Sequence, residues 1–432
     1  MPTADLSPAR AEQLATSPWA GRSHEELALL TRELLLCGHM IDRSGMPHLI
    51  ERYGREGMTQ IAIEEWMGAS PIYSKRMQRL LDFETTTVAT ICKNIQLDIG
   101  GPLEFLDFRF TVHDDDHAEF HLDHCGALMD VEPMGEEYVH AMCHTIEDPT
   151  FDATATASNP RAQVRPVHRP PRVPADRHPH CAWTITVVHD AEPIEFPAEA
   201  ERVRDSMAAR LPLATRLADL PNDDGATDYA GPMDPDLRLS RFSSATLAAI
   251  ADEVALQCHL LSRAFLLPVV DRSGGPEAAV VGGKQVCGVA GLATKRLAAL
   301  LGLAPDLAGV AAVLAVHPVF LPRAYVDLRL NPDSSTEGAD ALLVSLGPGA
   351  AFEEADGLSW PQILVEHDDR GLVAAVQALA PTGRVERTDP VGGALATWRV
   401  TIDPAAEPAR QFDEVTLTEF STGADFVFAR PV

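Results

Sequence analysis

The chain has 432 residues, enough for two to three ordinary domains with cores of their own, and its 63 acidic against 35 basic side chains give a net charge of −28. That balance argues against nucleic acid or an anionic membrane surface as a partner, because either needs a basic face. The seven cysteines are an odd, scattered set behind a polar N-terminus without an apolar h-region, which argues against a disulfide framework and suits a cytoplasmic protein.

In chain order, apolar periodicity predicts helices over 27–41, 56–82 and 85–97. Alternation predicts strands over 104–112 and 118–124, joined by an HDDD turn. A helix over 135–147 and strands over 162–167 and 182–188 follow. The next stretch, containing PNDDGATD, reads as an acidic linker. The same plan then returns: helices over 245–264, 280–303 and 306–316, strands over 324–330 and 340–346 around NPDSS, a helix over about 360–378, and strands over 384–388 and 396–402. The most apolar stretch, 297–321, is interrupted by Pro305-Asp306 and His317-Pro318, so it reads as a buried helix with its flanks rather than a membrane span.

The repetition is visible residue by residue. At an offset of 220, ELLLCGHMIDR at 33–43 lies over EVALQCHLLSR at 253–263, and SKRMQRLLDF over TKRLAALLGL. PLEFLDFRF at 102–110 lies over PRAYVDLRL at 322–330. At 215, AWTITV lies over TWRVTI. The reading is a tandem duplication with an α+β fold, each copy a helical segment plus an antiparallel sheet, in two pseudo-symmetric halves. The boundaries are 20–190 for the first repeat, 191–234 for the linker, 235–405 for the second repeat, and 406–432 for a hairpin-like tail. The halves could pack on each other or on a second chain, which leaves room for a homo-oligomer.

The copies differ in chemistry. HLDHC at 121–125, MCH at 142–144 and HPHC at 178–181 have no counterparts in the second half, where Ile363 and Leu364 stand for Cys143 and His144. Alternation puts His121, Asp123 and Cys125 on one strand face. His140 and His144 are helical i, i+4 neighbours with Glu147 one turn on, and Cys143 lies on an apolar stripe with Val139 and Ile146. The functional reading is a mononuclear metal site in the N-terminal half, Zn²⁺ or Fe²⁺, with ligands drawn from His121, Cys125, Cys143, His144 and Cys181. Asp148 or Glu147 would be the general base. A Cys143 nucleophile served by His180 or His121 is the second reading. Arg165, Arg169 and Arg172, in a basic proline-rich loop, are candidates for a substrate carboxylate. Burial of the cysteines as plain core residues competes with both. His39 and His259 recur in both halves and read as structural, as do Asp107–Arg109 and Asp327–Arg329, expected to be ion pairs.

Cys125, Cys143, Asp148, Asn159-Pro160-Arg161, Cys181 and Trp183 together resemble the L-2-amino-thiazoline-4-carboxylic acid hydrolase-like family, over about 55–190. Two features depart from it: Gly126 stands where the family has proline, and HRPPRVPADRHPH at 168–180 replaces a short connection. The resemblance implies the fold and a hydrolytic activity, not the thiazoline substrate, because the ligand set has changed. The resulting expectation is metal-assisted hydrolysis of a C–N bond in a small cyclic amide, amidine or thiazoline-like compound. The alternatives are a small-molecule binding or sensor protein with a structural metal, and an iron-dependent redox enzyme.

Overall fold

The computed structural model describes residues 17–218, 220, 223–333 and 340–432. The polar N-terminus to residue 16, the Pro-Asn of PNDDGATD and the two serines of NPDSS fall outside them. The fold is α+β with two four-stranded antiparallel sheets.

The first half opens with α1, His24–Leu80, which joins both predicted helices into one 57-residue element. Ser23 starts it with a capping box: Ser23 Oγ accepts from Glu26 N–H at 3.2 Å and Glu26 returns a carboxylate to Ser23 N–H at 2.8 Å. Gly54, at φ 70° and ψ 178°, breaks it. That conformation favours glycine, which lacks a Cβ to clash. Then come α2 (Val88–Gln96), β1 (Leu106–Val112) and β2 (His117–Cys125). A broken helical run crosses 126–146 and ends in a π-helical turn, Ala141–Ile146. It continues directly into α3 (Glu147–Thr156), past the predicted end at 147, and β3 (Ala162–His168) and β4 (Cys181–Val187) close the half.

The second half runs α4 (Ser244–Ser273), α5 (Gly275–Leu301), α6 (Leu307–Ala315), β5 (Leu328–Asp333) and β6 (Ala341–Leu346). It ends with α7 (Trp360–Glu366), α8 (Arg370–Leu379), β7 (Gly383–Thr388) and β8 (Ala396–Ile402). Gly274 separates α4 from α5 at φ 84° and ψ 167°. This is the same break, 220 residues after Gly54. The sheets have the same order, β1-β2-β4-β3 and β5-β6-β8-β7.

The halves pack on each other inside one chain, chiefly through α1 against α4. Their buried ion pairs are reciprocal. Arg76 clamps Glu253 at 2.8 Å, and Arg296 clamps Glu33 at 2.7 Å. Arg76 and Arg296 are 220 apart in sequence, and so are Glu33 and Glu253. A contact i–j mirrored by j–i is what isologous pairing produces. Tyr53 and Ser273, also equivalent, hydrogen-bond to each other at 2.8 Å.

Each arginine also fastens the segment that follows its own half. Arg76 donates to the carbonyls of Ala209, Leu211 and Pro212, and Arg296 to those of Gly423, Ala424 and Phe426. Residues 406–432 are therefore not a hairpin-like tail. They carry a short helix, α9 (Asp413–Thr418), and have no strand. The linker likewise contains helical turns at Ala198–Arg204 and Met207–Arg210.

Among the described residues one helix, Ser244–Ser273, is long and apolar enough to cross a membrane, and 89% of its most apolar window is buried inside the fold.

Candidate functional site

The expected ligand set does not assemble. His121 points away from the core, 43% exposed, beside Asp123 at 3.4 Å. Cys125 sits on the other face. A β-bulge between the Leu106 and Phe108 pairings shifts the register, so a residue that strict alternation places with His121 turns inward. The Cys125 sulfur accepts the Leu128 N–H at 3.3 Å and so caps the short helix after β2. His144 Nε2 is engaged by the Pro170 carbonyl at 2.6 Å, and its ring lies 4.4 Å from that of His140. His180 is buried among imidazoles, 5.0 Å from His178 and 6.1 Å from His124. Burial, then the charge of Arg172, pushes its pKa down to about 4.

Cys125, Cys143 and Cys181 share one apolar cluster with Trp183 and Phe120. Burial, reinforced by nearby Glu147, pushes the Cys125 thiol up to about 12 and the other two well above their usual range. A nucleophile or metal ligand must be a thiolate, and this setting favours the neutral thiol. Among the described residues no three His, Cys, Asp or Glu side chains converge as a metal requires. The donor set therefore does not fit zinc or iron.

The three loop arginines are engaged with protein carboxylates: Arg165 with Asp152 at 2.8 Å, Arg169 with Asp148, and Arg172 with Glu132 at 2.7 Å. They fasten the proline-rich loop to the helical run. Asp148, expected as a proton shuttle, is the outward anchor of that clasp. His39 and Asp107–Arg109 take structural roles. The His39 ring meets Asp130 at 2.9 Å, and Arg109 meets Asp107 at 3.0 Å, as Arg329 meets Asp327 at 2.6 Å.

The structure instead presents a cavity of about 200 Å³ between α1, the sheet and the 126–156 helical run. Its walls are largely apolar, with Met46, Ile50, Met58, Leu106, Met142 and Phe151 among them. Two groups of titratable side chains interrupt the apolar wall. One comprises Glu147 with the Cys125 and Cys181 thiols. Burial raises the Glu147 carboxyl to about 8, although Arg169 draws it down. The other comprises Asp42 and Asp98, with Glu65 packed behind Asp42. Trp66 Nε1 donates to Asp42 at 3.3 Å, and the Tyr73 hydroxyl donates to Asp98 at 2.6 Å. Burial raises Asp42 and Asp98 to about 6 and Glu65 well above its ordinary value. The cationic residue on the wall, Arg43, is taken by Asp130 at 3.0 Å, which His39 and the Thr422 N–H also hold.

Asp42, Glu65 and Asp98 were not among the sequence candidates, yet the duplication marks them. At the offset of 220 they face Ser262, Gln285 and Pro318. Acids stand where the second copy has neutral residues, two of them on α1 and one in the loop after α2. In the second half Ser262 simply hydrogen-bonds Gln285 at 2.8 Å.

Compared with known proteins, the chain matches no family model, no curated protein and no solved structure.

Proposed function

We propose that the N-terminal half hydrolyses a C–N bond in a small cyclic amide, amidine or thiazoline-like compound held in this cavity, and that carboxyl groups move the protons. The observation that carries the reading is Glu147: a cavity-facing carboxyl whose pKa, about 8, keeps it protonated at neutral pH. A neutral carboxyl in an apolar wall is the form a general acid needs. It would donate its proton to the ring nitrogen as the C–N bond breaks, while water would supply the hydroxyl to the carbon and its remaining proton would return to the Glu147 carboxylate. The volume, below the roughly 300–1,000 Å³ usual for drug-sized ligands, limits the substrate to a compact molecule. The resemblance to the thiazoline hydrolase-like family points to the same reaction class.

The neutral state of the three thiols favours a second reading, a small-molecule binding protein without turnover. Incubation of the purified protein with a panel of cyclic amides, amidines and thiazolines, followed by mass spectrometry, separates the two. Turnover lost in Glu147→Gln, with folding retained, supports the hydrolase. Binding without turnover across the panel leaves the carrier.

A further inference from the structure

The cavity's charge is unbalanced. Asp42 and Asp98 line it, and Glu65, 0% exposed, backs Asp42 and shares a proton with it. Apart from that shared proton, neither Glu65 oxygen nor Asp42 Oδ1 meets a donor. The charged and titratable neighbours are Arg43, whose Nε lies against Asp130, then His39, Tyr73 and Glu147. His39 is a neutral donor at ordinary pH, since burial lowers it to about 4. Among the described residues no cationic side chain ion-pairs with the three acids: the charge of Arg43 reaches Asp42 and draws it down, but its guanidinium is held by Asp130.

Burying three carboxyls without a counter-charge of their own is costly and is not required by this fold, because the second half builds the same place from Ser262, Gln285 and Pro318. There Trp360 Nε1 completes the Gln285 contact at 3.4 Å, and the position is closed core. The first half gives up that stability at a place where it also opens a cavity.

We infer that the cavity takes a cationic ligand, a compact molecule carrying an amidinium or ammonium group, which seats its charge against Asp42 and Asp98 with Glu65 behind. The inference rests on the cavity being the functional site and selects among its substrates, favouring amidines over neutral amides. Seating the cation drives a buried carboxyl to ionise. One O–H bond breaks, the carboxylate stays with the bound cation, and the proton leaves to solvent.

Benzamidinium and its neutral near-isostere benzamide test this on the full chain by isothermal titration calorimetry at pH 7, in phosphate and in Tris. The expected result is at least tenfold tighter binding of benzamidinium. Its apparent enthalpy should differ between the buffers in the sense of proton release, and its affinity should rise from pH 6 to pH 8. Asp98→Asn and Glu65→Gln should each reduce the preference for the cation about tenfold, with melting curves recorded to confirm folding. Equal binding of the two compounds overturns the inference, as does binding of neither, or cation binding without proton release. The wild-type comparison stands even if a variant fails to fold. Turnover of neutral amides without cation preference would sink the inference and leave the hydrolase. Cation binding with no turnover of any panel compound would do the reverse.

Discussion

The two halves share a scaffold and diverge around the cavity. In the second half, α7 sends Trp360, Ile363 and Leu364 into the core, all at most 1% exposed. A Cβ on Gly282 would lie 2.6 Å from Ile363 Cδ1, so the glycine is what lets that side chain seat. In the first half the equivalent residue is Ala62, and it lines the cavity. The helical run there is broken by a π turn just before Glu147. Such turns recur at functional sites, where they re-aim the side chains around them. One copy holds the pair together as packed core, and the other has exchanged packing for a cavity with acids in its wall.

The comparison breaks most severely if its reciprocity fails. Arg76→Ala and Arg296→Ala should each cost about 3–5 kcal/mol, because each leaves a buried glutamate without its partner. Urea denaturation followed by circular dichroism measures both. Similar costs would make the two clamps energetic equivalents, whereas a silent Arg296→Ala would reduce the symmetry to geometry.

A smaller effect separates the halves by pH. The folded pKa of Glu147, about 8, lies above its ordinary 4.5. The folded state therefore binds a proton that the unfolded chain has released across that interval. The stability due to this proton is complete below pH 4.5 and is lost as pH rises through 8. Glu147→Gln should flatten that decline by on the order of 2 kcal/mol, discounted because the group borders the open cavity. Its counterpart at the 220 offset is His367, so the second half has no carboxyl at this place. Melting temperatures at pH 5, 7 and 9 provide the measurement, and an unchanged slope in the variant would return Glu147 to an ordinary carboxylate.

Steric change should act on the halves with opposite consequences. Gly282→Ala should destabilise by about 1–3 kcal/mol through its clash with Ile363. Ala62→Leu, at the equivalent position, should fill cavity space with a melting temperature near the parent's and abolish ligand binding. If Ala62→Leu proves as damaging as Gly282→Ala, the cavity is too small to admit the added atoms.

Much of the fold was legible because duplication doubles the evidence. Each strand and most helices were marked twice, and β8 fell at its predicted bounds, Ala396–Ile402. The chemistry was less legible. Histidine and cysteine attract notice as ligands, but a β-bulge reversed Cys125, and a backbone carbonyl claimed His144. The arginines of a basic loop found acids within the fold, which their spacing does not reveal. The acids of the cavity lay unremarked on α1 and in the loop after α2. Their signal was relational, an acid in one copy where the other has a neutral residue, and it becomes meaningful once burial is known.

The tryptophans of β4 and β8 give the finest test. Trp183 and Trp398 are 215 apart, pair alike with Phe120 and Val344 across the neighbouring strand, and are both 0% exposed. Trp398 Nε1 donates to Asp369 at 2.9 Å, at the start of α8. At the start of α3 the nearby acid, Asp148, has turned outward to Arg169, and among the described residues Trp183 Nε1 meets no acceptor in hydrogen-bonding geometry. The Trp183 indole does bear on the Cys181 thiol, whose thiolate it favours, but without the alignment of a hydrogen bond. Replacing tryptophan by phenylalanine removes the N–H and some ring volume in both copies, so the difference between the variants isolates the hydrogen bond. Trp398→Phe should therefore be the more destabilising by about 1 kcal/mol, the net worth of one such bond. Equal losses in thermal denaturation would mean that Trp183 Nε1 is already satisfied, and the first half would then be no less complete at this strand than the second.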